Sequence, residues 1–241
     1  MREVLNPVTI FNMKRKVITV DGLAGSGKSA ISRLLAEKLG FMHFSSGLLY
    51  RAIGYLVLEN GVAFDDSERI VQLMERHKID LSTDGDVTID DKKITADFLH
   101  QPKISEATST ISVLPEVRQK LVDVQRNVFA GKGLVAEGRD MGTVIFPDAD
   151  LKFFIQADCA VRVARRLQQL GLSDNQHTES IDEIKRNIEI EILERDARDS
   201  TRKVAPTVAA EGAILVDNSA KTLTDVVQYM YDAVAKRGVT A

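Results

Sequence analysis

The 241 residues are 44% hydrophobic and 28% charged, the balance of a soluble globular chain: one α/β domain with insertions. A formal net charge of −3 excludes a global field that would draw the chain onto DNA, RNA or an anionic membrane. Any anion must therefore meet basic groups held locally against an acidic background.

Residues 1–16 carry Asn6, Pro7 and Asn12 among their apolar residues and lack a signal-peptide core. Residues 1–12 are expected to be a loose extension, and Lys14, Arg15 and Lys16 a solvated lead-in to the first strand. The β-branched run 17–21 reads as a buried strand, and 28–39 carries an apolar stripe at helical spacing. Gly40 ends that helix, 41–44 reads as a second strand, and 46–59 and 67–77 as helices. The period then changes. Ile79, Leu81, Val87 and Ile89 alternate around Asp84-Gly85, and Asp91-Lys92 precedes Ile94, which predicts a small antiparallel meander at about 78–95. Helices are expected at 103–112, 115–130, 159–170, 179–199 and 222–237, and strands at 133–137, 151–155 and 213–216.

Repeated β–α units give an α/β fold: a five-stranded parallel sheet with helices on both faces and a small inserted antiparallel β-element. We divide the chain into a core of about 16–60, 113–160 and 205–238, an insert of about 61–112 and a mobile lid region of about 161–204. No apolar run approaches the roughly 18 residues that span a bilayer. Cys159, the one cysteine, cannot form an intrachain disulfide and has no CxxC partner. It reads as a small core residue, and a reducing, cytoplasmic setting is expected.

The run Gly22-Leu23-Ala24-Gly25-Ser26-Gly27-Lys28-Ser29 fits G-x-x-x-x-G-K-[ST] and lies between a predicted strand and a predicted helix. Glycines let successive N–H groups converge on phosphate, and the helix start adds its dipole. Lys28 is expected to reach the β- and γ-phosphates and Ser29 to ligate Mg²⁺. The chain therefore binds a nucleoside triphosphate. A GTPase switch would need an N-K-x-D element, and no Asn here precedes Lys. A motor ATPase would need a larger assembly and an arginine acting in trans. A kinase needs cations that neutralise two converging phosphoryl groups.

Those cations are present. Arg51 lies one helical turn past Gly47, where it can clamp an acceptor phosphate. Glu137-Gly138-Arg139-Asp140 follows an apolar strand, and ligands of open α/β sheets gather at strand C-termini. Glu137 is placed as the acidic partner of the magnesium shell and Arg139 as a second clamp. Arg195, Asp199 and Arg202 share a helix face just before Ala205-Pro206, a break suited to a lid that excludes water.

Together these pieces resemble the bacterial cytidylate kinases, within the P-loop nucleoside monophosphate kinases. The resemblance covers residues 17 to about 237. It rests on VDGLAGSGKS, SSGLLYRA, Leu114-Pro115-Glu116-Val117-Arg118, EGRDMGTVIFPDA and ERDARDSTR, of which the stretch from Gly138 to Ala149 is the most specific. It implies a cytosine site of Ser109, Arg118 and Asp140, with Arg195 and Asp199 toward the sugar. It also implies that Arg51, Arg139 and Arg202 gather the acceptor phosphate with Ser46 nearby. Lys28, Arg139, Arg195 and Arg202 are the implied catalytic set. Three positions depart from the family pattern. Ser45 stands where relatives commonly have Asp, Glu137 replaces the more usual Asp, and Leu23-Ala24 replaces Pro-Ser or Pro-Ala.

The implied reaction is ATP-dependent phosphorylation of CMP or dCMP with Mg²⁺, by a monomer whose partners are small molecules, not nucleic acid or membrane. Alternatives are a UMP or AMP kinase, a shikimate-type kinase, and a nucleotide-binding regulator without turnover. The Arg118/Asp140 pair and the meander argue against the shikimate type.

Overall fold

The computed structural model describes residues 15–82, 85–172 and 179–239. The expected extension 1–12 and the Asp84 half of the Asp84-Gly85 turn lie outside them. Five parallel strands form the central sheet: β1 (Val17–Gly22), β2 (Met42–Ser45), β6 (Leu134–Gly138), β7 (Leu151–Gln156) and β8 (Ile214–Asp217), in the order β2-β6-β1-β7-β8. A separate antiparallel sheet runs β3 (Ile79–Leu81), β4 (Val87–Ile89) and β5 (Lys92–Ile94). Both sheets are those expected from the sequence. The second strand lies one residue later than its apolar pattern suggests.

The central strand β1 is buried along its whole length, as a parallel strand covered on both faces must be. On one face, Ile18, Val20, Val135 and Phe153 pack against Ile31 and Leu35 of α1 (Lys28–Leu39) and against Val226, Met230 and Val234 of α9 (Leu223–Lys236). On the other, Val17, Phe44, Leu134 and Ala136 meet Met141, Ile145 and the half-buried Val122 of α6 (Pro115–Asn127). The insert builds its own core on α2 (Ser46–Glu59). Leu49, Ile53 and Val57 contact Val87, Ile89 and Ile94, with Ile70 of α3 (Ser67–Arg76) and Ile104 of α5 (Pro102–Ile111). Its β4–β5 hairpin closes through Asp90 and Asp91, both at positive φ (47° and 67°), as tight two-residue loops require.

Two elements have no counterpart in the expected list. One is α4 (Ala96–Leu99), a single turn capped by the Thr95 hydroxyl, which accepts from Phe98 N at 3.3 Å. The other is a π turn over Met141–Ile145. The hairpin of α7 (Cys159–Gln169) and α8 (Glu179–Thr201) is held by Val163 and Leu167 against Ile188 and Ile192. Cys159 packs half-buried against that cluster as a free thiol. Among the described residues no helix is long and apolar enough to cross a membrane.

The strand order decides where ligands can gather. In register, Ser45 and Val20 flank Glu137, and Asp21 lies beside Gly138. The C-terminal ends of β2, β6 and β1 therefore deliver three loops to one place.

Candidate active site

The loop after β1 is tied on its outer side by residues distant in sequence. Gly22 has φ 155°, and a Cβ there would lie 2.3 Å from the Ile155 carbonyl oxygen of β7. Only glycine fits. Gly25 and Gly27 also sit at positive φ (70° and 87°), the second as the cap of α1. The Ala24 carbonyl accepts from Arg162 Nη1 at 3.2 Å, and the Ser26 carbonyl from Arg165 Nη1 at 3.1 Å and Asn218 Nδ2 at 2.8 Å. Asp196 accepts from Ala24 N at 3.3 Å and also pairs with Arg162. With its carbonyls bound to cations and an amide, the loop is tied to α7 and to the end of β8.

Lys28 Nζ donates to the Leu23 carbonyl at 3.3 Å, within the loop it serves. Burial, with repulsion from Arg139, pushes its pKa down to about 7. Ser29 Oγ donates to Glu137 Oε2 at 2.9 Å, and Ser45 Oγ donates to Oε1 of the same carboxylate at 2.6 Å. Ser29 and Ser45 thus share one carboxylate beside the phosphate loop. No cluster of three or more His, Cys, Asp or Glu suited to a metal occurs among the described residues. One buried carboxylate flanked by hydroxyls is a hard oxygen set. It fits Mg²⁺, which keeps several waters and shares its sphere with phosphate oxygens.

Asp21, in the strand residue before the loop, was not among the expected site residues. Its carboxylate accepts from Met141 N and Gly142 N, each at 2.8 Å, and so caps the π turn that follows Arg139-Asp140. Burial pushes its pKa up to about 6, against the pull of those two N–H groups.

A cavity of about 200 Å³ opens beside the loop, walled in part by Ser46, Tyr50, Arg118, Arg139, Asp140 and Asp199. Its charged groups form one network. Arg118 pairs with Asp140, donates Nη1–H to the Ser112 carbonyl at 3.0 Å and lies 5.6 Å over the Tyr50 ring. Burial raises the Tyr50 phenol to about 12. Arg139 Nε donates to Asp199 Oδ2 at 2.9 Å, while Arg202 stands 3.7 Å from Asp199 and 4.0 Å from Asp140. Arg195 lies 4.0 Å from Asp199, and burial lowers its pKa to about 10, with Arg139 adding to the fall. Burial also disfavours ionised Asp199, but Arg139, Arg195 and Arg202 outweigh it and hold this carboxyl below its ordinary range.

Arg51 is anchored to the insert by bonds from Nη1 to the Leu99 carbonyl at 2.9 Å and Ser105 Oγ at 2.7 Å. Its pKa falls to about 10, chiefly through burial. Thr108 and Ser112 line the cavity, whereas Ser109 is buried behind that wall with an unpartnered Oγ.

A second cavity, of about 650 Å³, also borders Lys28. The hairpin lines it with Arg162, Arg165, Arg166, Ile188 and Ile192. The two cavities share Ala24 and Gly25 of the loop together with Lys28, Ser29, Arg51, His100 and Arg195. Arg162, Arg165, Asn218 and His100 were not expected. The first two were readable in principle, since residues three apart on a helix share a face. Asn218 and His100 carried no local signal.

The family model described as cytidylate kinase matches residues 18–236. A protein named cytidylate kinase from Caldanaerobacter subterraneus subsp. tengcongensis is 39% identical over 221 residues, covering 91% of this chain and 94% of its own. Another of that name, from Marinomonas sp., is 38% identical over 226 residues, covering 92% and 97%. A crystal structure of an uncharacterized protein from Eubacterium ventriosum is similar in fold alone, with TM-score 0.50 and 11% identity over 92% of this chain and 99% of its own. With a triphosphate loop, a separate arginine-walled cavity beside it and these relatives, the chain belongs to the cytidylate kinase family.

Proposed function

We propose that this chain transfers the γ-phosphoryl group of ATP to a phosphate oxygen of CMP or dCMP. The bond from the γ-phosphorus to the β–γ bridging oxygen breaks, a bond from the acceptor oxygen to that phosphorus forms, and ADP and CDP or dCDP leave. The observation that carries the reading is the meeting of two cavities at Lys28, Arg51 and Arg195. One is large enough for a nucleoside triphosphate. The other ends in a buried carboxylate–guanidinium pair able to read a base edge.

The acceptor oxygen is already anionic near neutral pH, so no strong base is required, and rate comes from positioning and charge neutralisation. Lys28 serves the donor phosphates. Arg51, Arg139 and Arg202, with Ser46, serve the acceptor phosphate, and Arg195 the charge shared between them. Arg195 and Asp199 also face the sugar. Arg118 and Asp140 offer a donor and an acceptor to the cytosine edge. A pocket built to pair both rejects a base that leaves one unpaired. The resemblance also implies Ser109 here, but its hydroxyl is buried and does not line the cavity.

Mg²⁺ would be held through Ser29 and Glu137, and it supplies charge neutralisation at the donor phosphates. The α7–α8 hairpin is the proposed lid and 61–112 the acceptor-binding insert. The proposed enzyme is a monomer, and ATP as donor supports a cytoplasmic setting. A coupled ADP-release assay with CMP, dCMP, UMP, AMP and GMP tests the reading. Turnover confined to CMP and dCMP supports it, and turnover led by UMP or AMP overturns the acceptor assignment.

A further inference from the structure

His100 closes α4 inside the insert and lines both cavities at their junction, alongside Lys28, Arg51 and Arg195. Its Nδ1 lies 2.6 Å from the Ala96 carbonyl oxygen. A carbonyl only accepts, so Nδ1 carries the hydrogen and the neutral ring keeps its lone pair on Nε2. The Nε2 edge is then the one left for the cavity. Ser105 and Leu99 join this turn to the acceptor clamp: Arg51 Nη1 donates to the Leu99 carbonyl at 2.9 Å and to Ser105 Oγ at 2.7 Å, and the Ser105 hydroxyl faces the carbonyls of Gln101 at 3.0 Å and His100 at 3.3 Å. His100 and Arg51 are therefore placed by one network.

We infer that His100 is a phosphate-binding residue of this junction, one that takes up a proton when a phosphate dianion arrives and then donates Nε2–H to it. The inference rests on the kinase reading and adds a residue to it. His100 is exposed toward the cavities, and partial desolvation there is the chief factor disfavouring the charged ring, with Arg51 of α2 adding to it. The Ala96 carbonyl, Asp97 of α4 and Glu137 at the end of β6 favour the charge. The cavities it borders also carry Lys28 of α1, Arg139 after β6, Arg166 of α7, and Glu191 and Arg195 of α8. A dianion in contact reverses the balance, because an opposite charge at hydrogen-bond distance favours the imidazolium. The proton comes from solvent, and no bond to phosphorus is made or broken at the ring.

The test is KM for CMP at saturating ATP between pH 6.0 and 8.5, for the wild type, His100→Gln and His100→Arg. Each variant is expressed as a ratio to wild type at the same pH. The ratio divides out the titration of the CMP phosphate and of Lys28. For His100→Gln we expect about fivefold at the acid end, falling toward one at the alkaline end as the wild-type ring loses its charge. For His100→Arg, with a permanent charge, we expect a ratio near one in acid and below one in alkali. A pH-independent ratio in the Gln variant, or an Arg variant that behaves like Gln, overturns the inference while leaving the kinase reading intact. Wild-type protein that releases no ADP with CMP overturns both.

Discussion

Arg139 and Asp199, 60 positions apart, meet at 2.9 Å and join the loop after β6 to the last turn of α8. The same carboxylate faces Arg195 and Arg202, so one buried anion organises three arginines. Replacing Asp199 with Ala leaves those cations uncompensated. We expect a stability loss of about 3 kcal/mol in urea denaturation, the cost of breaking a buried pair from one side. KM for CMP should rise with it. A variant as stable as wild type would show that the carboxylate does not organise the cluster.

Lys28 and Arg139 line one cavity beside the phosphate loop. Lys28→Ala or Arg139→Ala is expected to lower kcat by about 10²- to 10³-fold, the usual effect of deleting one group that stabilises developing charge. Circular dichroism should be unchanged. Near-normal turnover in either variant would count against this site.

The depressed pKa of Lys28, about 7, carries a sign that can be checked. Above pH 7 the amine is largely neutral in the free protein. A bound triphosphate raises its pKa, so binding takes up a proton. ATP affinity should fall as pH rises above 7, and calorimetry in buffers of different ionisation enthalpy should report uptake that is absent in Lys28→Met. Equal uptake in that variant would place the proton elsewhere.

Asp140 and Arg118 form the buried pair at the end of the acceptor cavity. Asp140→Ala should erase the preference for CMP over UMP, measured as the ratio of kcat/KM values. Unchanged discrimination would remove the base-reading role from this pair.

Asp21 accepts two N–H groups, whereas Asn would accept one and present an amide donor to the other. Asp21→Asn should therefore shift the turn that carries Asp140 and raise KM for CMP more than KM for ATP. Stability supplies a second readout. The folded pKa of about 6 exceeds the ordinary 3.8, so the folded state holds extra protons across that window. Wild type should lose stability relative to Asp21→Asn as pH rises through it, and a pH-independent difference would contradict the raised pKa.

What the sequence determined by itself was local. The phosphate loop was legible because its glycines and flanking periods are short-range requirements of backbone geometry. The antiparallel insert was legible because its apolar residues change period from 3.6 to 2. Arg51, Arg139, Arg195 and Arg202 were legible because each follows a strand end or shares one helix face.

Tertiary structure decided the rest. The order β2-β6-β1 sets Glu137 between two hydroxyls from different strand ends, and it sets Asp21 beneath the turn after Asp140. The packing of α7 on α8 turns Arg162 and Asp196 toward the Ala24 backbone. The Thr95-capped turn brings His100 to the junction of the cavities. In each case the partners are separated by long stretches of chain. Their meeting depends on which strands pair and which helix faces are buried, and no local periodicity encodes that.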